Sequence, residues 1–154
     1  MLRLSRKMLF ALEAVVDIAY NARPEPVQSK EITRRQGIPQ RYLEQVMQQL
    51  VHAGVLKGVR GPKGGYRLAR ERRRITVGEI IRVVGAVEAG EEEEDGEGGV
   101  MTSDLGRKVV QPLWNELHET IMAKLDSITV EDLCRRAETA GVHSEGRERM
   151  DFSI

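Results

Sequence analysis

Val59-Arg60-Gly61-Pro62-Lys63-Gly64-Gly65-Tyr66-Arg67-Leu68 is the stretch on which the reading of this chain turns. Three glycines and a proline stand among three cations, with an apolar residue at each end. Gly61-Pro62 and Gly64-Gly65 are turn punctuation, so the backbone reverses here. The flanks, Leu56 to Val59 and Tyr66 to Leu68, are short and partly alternating, as the strands of a small hairpin are. The loop between them is too long for a two-residue turn and is expected to project as a cationic finger. Such a chain can approach a phosphate backbone or a groove wall closely and bring positive charge to it. An ordinary surface hairpin has the same features, so the flanking sequence has to decide.

Upstream, apolar residues from Met8 to Ala19 recur at spacings of three and four, which marks an amphipathic helix from Ser5, its N-cap, to Ala22. Asn21 to Val27 holds two prolines and reads as a loop. Ser29 is placed to cap a short helix to about Gln36, with Glu31 in the first turn, where the helix dipole favours an acid. Gly37-Ile38-Pro39 breaks that helix, and proline then suits the start of the next. This third helix, about Gln40 to Ala53, buries Leu43, Val46, Met47, Leu50 and Val51, and Gly54 follows as its stop. Two helices across a short glycine-containing turn form a helix-turn-helix. The outer face of the second carries Arg41, Glu44, Gln45, Gln48, Gln49 and His52. These groups can hydrogen-bond base edges, although any amphipathic helix turns a polar face to water.

Charge separates the two halves of the chain. Residues 1–75 hold 16 Lys+Arg against 6 Asp+Glu, a net of +10, whereas 76–154 hold 8 against 18, a net of −10. A neutral total thus conceals a basic first half suited to a polyanion. The single cysteine, Cys134, excludes an intramolecular disulfide and a cysteine-rich metal site, and reads as a buried structural thiol. The apolar run Met8 to Leu12 is too short for a signal-peptide core or a membrane span, so a cytoplasmic protein without a membrane partner is expected.

Beyond the hairpin, Arg72, Arg73 and Arg74 form a charge run that is either a solvated loop or a further phosphate contact. Thr76-Val77-Gly78-Glu79 is a capping box, with Ile75 and Ile80 as its staple, opening a helix to about Val84 that should pack on the first. Glu88 to Gly99 is acidic and glycine-rich and is expected to be a mobile loop. It lacks the alternating acids and final glutamate of a calcium loop, so no metal is assigned to it. From Asp104 the stripe Leu105, Val109, Leu113, Leu117, Ile121 and Leu125, flanked by Trp114, marks a helix that must start or kink near Pro112. Its length exceeds what the small domain can cover, which suggests dimerisation, with part of the stripe packing within the chain. Thr129 to Asp132 opens a last helix that ends before Gly141, and the remainder is expected to fray.

Together, Gln36-Gly37-Ile38-Pro39, Tyr42-Leu43-Glu44-Gln45, Val59 to Tyr66 and Val77-Gly78-Glu79-Ile80-Ile81 resemble the signature of the IscR-type bacterial regulators, the Rrf-two class. The resemblance spans 1–137 in element order and is strongest over 6–81. It implies a mainly α fold with a small β wing: a winged helix-turn-helix over 1–87, an acidic flexible loop over 88–103, dimerisation and terminal helices over 104–140, and a frayed tail over 141–154. It further implies a homodimeric transcriptional regulator, most often a repressor, on a pseudo-palindromic operator of double-stranded DNA. The DNA-contact candidates are Ser29, Arg41, Tyr42, Glu44, Gln45, Gln48, Arg60, Gly61, Lys63, Gly64 and Tyr66. By matching position Arg41 and Glu44 would face bases in the major groove and Arg60 would enter the minor groove, with Lys63 on phosphate. The dimerisation candidates are Leu105, Val109, Leu113, Trp114, Leu117, Ile121 and Leu125.

One departure bears on the cofactor. Iron–sulfur members carry three cysteines in the loop before the long helix and a further ligand, commonly histidine, near its start. Here 88–103 contains no cysteine and Gln111 stands where that histidine would align, so the chain reads as a cluster-free branch with no cofactor and no metal site. No nucleophile motif accompanies its Ser, His and Asp residues, and His52, His118 and His143 lie on separate elements, so no catalytic residue is assigned. The other reading the resemblance admits is a protein-interaction adaptor, or a regulator controlled by a partner enzyme such as one of cysteine synthesis.

Overall fold

Ser5 starts the first helix: its hydroxyl accepts from the Met8 N–H at 3.2 Å, and α1 runs Arg6–Tyr20. The computed structural model describes residues 5–92 and 103–146, with 86–92 described by their backbone alone. The elements that follow are α2 (Ser29–Gln36), α3 (Gln40–His52), β1 (Leu56–Val59), β2 (Gly65–Leu68), a 3₁₀ turn (Arg72–Arg74), α4 (Val77–Glu92), α5 (Gln111–Asp126) and α6 (Val130–Thr139). Helix α1 is the hub. Ala11, Ala14, Val15, Ile18 and Ala19 are buried along one face, and α2, α3, α4, α6 and β2 all pack against this helix. Ile32, Ile38, Leu43, Met47, Leu50, Val55, Ile75, Ile80 and Val130 complete one continuous core.

The helix-turn-helix forms as its sequence predicts, with one shift. Gln28, not Ser29, is the N-cap of α2. The Glu31 carboxylate accepts from the Gln28 N–H at 2.8 Å, which moves the start of the helix to Ser29 itself. Gly37 then takes φ 66°, a left-handed conformation that ends α2 without a Cβ penalty. Ile38 plugs the turn, fully buried. At the far end of α3, the Val55 N–H donates to Leu50 O at 3.0 Å and the Gly54 N–H to Val51 O at 3.1 Å. This double bond pattern satisfies the last carbonyls and buries Val55 as a hydrophobic stop.

The two wing strands are antiparallel, paired from Leu56 with Leu68 to Val59 with Gly65. The loop before α2 contributes more than sequence predicts. Val27 bridges Tyr66 through paired backbone hydrogen bonds of 3.0 and 2.8 Å, making a third, one-residue edge to the hairpin. A Cβ on Gly65 would lie 2.4 Å from Val27 O, so the close approach requires glycine there.

Thr76 caps α4, accepting from the Glu79 N–H at 3.1 Å, and Ile80, Ile81 and Val84 are buried against the core. The helix continues to Glu92, so residues 88–92, expected to be loop, are helical. Glutamate is a good helix former, and a helix already nucleated at Thr76 propagates through it cheaply. The rest of the acidic stretch, 93–102, lies outside the described residues. As expected, the α-helix α5 starts next to Pro112, which sits in its first turn, where a missing N–H costs nothing. The chain enters α5 through a wide π turn at Gly106–Val110, where the Gln111 N–H bonds Gly106 O, and a π turn relieves the clash that proline makes with a preceding carbonyl. The C-terminal tail corrects a further expectation. Residues 141–146, expected to fray, are packed: Ser144 is buried and donates to Tyr20 O at 2.7 Å, and the Tyr20 hydroxyl donates to Val142 O at 2.6 Å. Residues 147–154 lie outside the described part.

Candidate nucleic-acid interface

Helix α3 buries Leu43, Val46, Met47 and Leu50 and leaves Arg41, Tyr42, Glu44, Gln45 and Gln48 exposed. The 3.6-residue period makes this division: each exposed residue lies off the apolar stripe. Gln40 donates to Glu44 Oε1 at 3.3 Å along the helix. Tyr42 does two things, since its ring leans on Phe10 of α1 at a centroid distance of 6.0 Å while nearly half of the residue remains open to solvent. Gln49 is half-buried, with an Oε1 that has no hydrogen-bond partner among the described residues, so it belongs to the inner edge of the face. Ser29 is half-buried at the first position of α2.

At the wing tip the Gly64 N–H bonds Gly61 O at 2.9 Å, closing a turn over Pro62 and Lys63. Arg60, Gly61 and Lys63 are exposed, Gly64 is half-buried, and Tyr66 is half-buried against the core. Among the described residues, Arg41, Arg60 and Lys63 make no ion pair. Arg70, by contrast, is paired with Glu79, and Arg73 with Glu71 at 2.5 Å. Arg41 on the exposed face of α3 and Arg60 and Lys63 at the wing tip are thus among the described cations left without an acidic partner.

The helix-turn-helix is held from behind by a polar network that reading the sequence missed. Arg35, at the end of α2, donates to both Asp17 oxygens at 2.8 and 2.7 Å and to Glu145 at 2.6 Å. Gln36 adds a bond to Asp17 at 2.9 Å. The Asp17 side chain is fully buried and Arg35 is 10% exposed. A parallel pair joins Arg23 to Glu31 at 2.7 and 2.6 Å. The hydrogen bonds from Arg23 hold the Glu31 carboxyl at about 2, well below its ordinary 4.5. Burial pushes Glu145 up, but the bonds and charge of Arg35 and Arg34 outweigh it and leave that carboxyl lowered. The signal that was available is Asp17 itself, an acid on the apolar face of α1 between Ala14 and Ile18, since a buried acid requires a partner.

A depressed folded-state carboxyl contributes stability above its unfolded value and loses it as pH falls. For Glu31 the window runs from 4.5 down to about 2, and its contribution there is on the order of 2–3 kcal/mol. Urea unfolding followed from near-neutral pH into this window is expected to lose stability, with a visibly smaller loss in Glu31→Gln. An equal loss in the variant would remove Glu31 from the account.

The family model of the Rrf2 iron-dependent transcriptional regulators matches residues 4–136. This chain belongs to the Rrf2 family. The HTH-type transcriptional regulator IscR of Escherichia coli O9:H4 (strain HS) is 35% identical, covering 99% of this chain and 96% of that protein. Among solved structures, the T. potens IscR matches with a TM-score of 0.72 and 36% identity over 93% of each chain. CymR, the global cysteine regulator of B. subtilis, matches with a TM-score of 0.69 and 31% identity, over 88% of this chain and 98% of that one. The protein is a DNA-binding transcriptional regulator of the IscR type.

Two features of this Rrf2 chain bear on how it acts. The first is α5, in which no residue is buried. Leu105, Val109, Leu113, Trp114, Leu117 and Ile121 are between 38% and 66% exposed, along roughly 25 Å of helical rise. Leu125, the seventh of the stripe, is half-buried at the end where Arg82 pairs with Asp126 at 2.6 Å, so it serves packing within the chain. The second is the donor set. Cys134 is the only cysteine and is buried in α6. Among the described residues no group of three or more His, Cys, Asp or Glu side chains is placed to hold a metal ion. One buried thiol does not fit a thiolate-bound iron–sulfur cluster. Among the described residues no helix is long and apolar enough to cross a membrane.

Proposed function

We propose that this protein is a cytoplasmic repressor that binds a pseudo-palindromic DNA operator as a homodimer, without an iron–sulfur cluster. The observation that carries this reading is the pairing of an exposed face on α3, carrying Arg41, with an exposed wing carrying Arg60 and Lys63, cations that make no ion pair among the described residues. In this reading Arg41 and Glu44 read bases in the major groove, with Gln45 and Gln48 beside them, and Tyr42 and Ser29 steady the approach to the backbone. Arg60 enters the minor groove, Gly61, Gly64 and Tyr66 shape the wing that carries it, and Lys63 neutralises phosphate. The exposed stripe on α5 supports the dimer, because an apolar face of this extent is ordinarily covered. The lone buried cysteine supports regulation without a cluster: preparations with and without oxygen are expected to be colourless and free of iron, and an iron-bearing chromophore would overturn this part.

The test is a footprint on the DNA upstream of its own gene, with a salt series. Log affinity should fall steeply with log salt, and Lys63→Ala should lower that slope by about one. Arg60→Ala is expected to cost about 1–3 kcal/mol of operator binding and to relax any A·T preference. An unchanged footprint with Arg60→Ala would reject the wing assignment, and affinity indifferent to salt would reject DNA binding altogether.

A further inference from the structure

Behind the helix-turn-helix lies a cavity of about 650 Å³, bounded by α1, the end of α2, α6 and the segment after α6. This volume is in the range of small-molecule sites. Leu12 and Val16 of α1 and Leu133 and Ala137 of α6 supply apolar wall, and the Asp17–Arg35–Glu145 network closes one part of it. Two opposite charges also line it, Glu13 and Arg136. Neither side chain makes a hydrogen bond or an ion pair among the described residues, although the charge of Arg136 is felt by Asp132 on the same helix; the other lining charges, Asp17, Arg35 and Glu145, are tightly paired. Partial burial raises the Glu13 carboxyl from its ordinary value, as expected of an acid at an apolar wall with no cation against it.

We propose that this cavity is a binding site for a small apolar amino acid, its ammonium paired with Glu13, its carboxylate with Arg136, and its side chain on the Leu12, Val16, Leu133 and Ala137 wall. Charge complementarity selects this class. A purely apolar ligand would leave both charges facing it unpaired, an amine would leave Arg136, and a carboxylic acid would leave Glu13. The site also has a route to the DNA-binding face. Arg35 lines the cavity and ends α2, and three residues, Gly37 to Pro39, join α2 to α3. A ligand that shifts Arg35 or the segment holding Glu145 therefore shifts the base of the recognition helix. This regulatory consequence rests on the DNA-binding reading above; the binding itself does not.

Isothermal titration of the full chain with L-leucine tests the site without DNA. Saturable binding at one ligand per chain is expected, weakened roughly tenfold or more by Glu13→Gln or by Arg136→Gln, because each removes a charge-assisted bond. Both residues are exposed, so neither change threatens folding. Isoamylamine and isovalerate, which carry one charge each, should bind at least about tenfold more weakly than L-leucine. Ala137→Trp, which fills the cavity, should abolish the heat while circular dichroism stays unchanged. No binding up to about 10 mM L-leucine would overturn the proposal. Equal binding of isoamylamine, or undiminished binding to Glu13→Gln, would overturn it too. Fluorescence anisotropy of an operator duplex with and without L-leucine then tests the link: saturable binding with unchanged DNA affinity keeps the site and rejects the coupling. A ligand-free protein that does not bind the duplex rejects the DNA reading instead.

Discussion

Asp17→Ala is expected to destabilise the protein by about 3–5 kcal/mol, the range for breaking one partner out of a buried ion pair. Its carboxylate is fully buried and accepts three hydrogen bonds, two from Arg35 and one from Gln36. Removing it takes both acceptors from one edge of the guanidinium of Arg35, itself only 10% exposed, and leaves it Glu145 at 2.6 Å and Glu31 at 3.8 Å. The internal control is Arg34→Ala. Arg34 bonds the same Glu145 at 3.0 Å but is 62% exposed, so its loss should cost less than about 1 kcal/mol. Equilibrium urea unfolding separates the two. If Asp17→Ala falls within about 1 kcal/mol of the parent, the network is not what holds the helix-turn-helix from behind. The expected loss also bears on function, because Arg35 ends α2 and α2 positions α3. The variant should bind the operator poorly even below its unfolding temperature.

The second large effect is expected at α5. Leu113→Glu places a charge in the middle of the exposed apolar stripe, where a partner helix would have to desolvate it. Size-exclusion chromatography with light scattering should show a dimer for the parent and a monomer for the variant. Because Leu113 is already 53% exposed in the isolated chain, the folded monomer should be little affected, and circular dichroism should show this. Affinity for a full operator should drop roughly 10²-fold or more, since two linked half-sites bind as one unit. Affinity for a single half-site should hardly change. A variant that stays dimeric would move the interface away from α5; a monomeric variant with undiminished operator affinity would show that dimerisation does not serve DNA binding.

The elements that sequence reading placed well share one property: their signals are local. Ser5 and Thr76 cap the helices that follow them, and Gly37 and Gly54 end α2 and α3. The two wing strands flank the Gly61 to Gly64 turn. In each case a few neighbouring residues satisfy or block the backbone bonds, so the pattern can be read without knowing what lies across the molecule. The misplaced features depend on distant partners. Val27 belongs to the wing because Tyr66, 39 positions on, returns to it. Residues 141–146 are packed because Tyr20, Asn21 and Arg35 receive them. The cap of α2 is the local exception: Glu31, held by Arg23, turns back onto Gln28 and displaces Ser29.

By itself, the sequence determined the helix-turn-helix, the cationic wing, the basic first half and the single cysteine. These follow from periodicity, turn chemistry and composition, which are properties of neighbours and of totals. Only the tertiary structure decided what Asp17 is for, which of the many cations stay unneutralised, and that α6 and the segment after it enclose a cavity against α1. Charge pairing and enclosure depend on which surfaces meet, and here Asp17 and Glu145 meet on Arg35 from opposite ends of the chain. No local pattern records such a meeting, because a side chain's partner is set by packing and not by spacing.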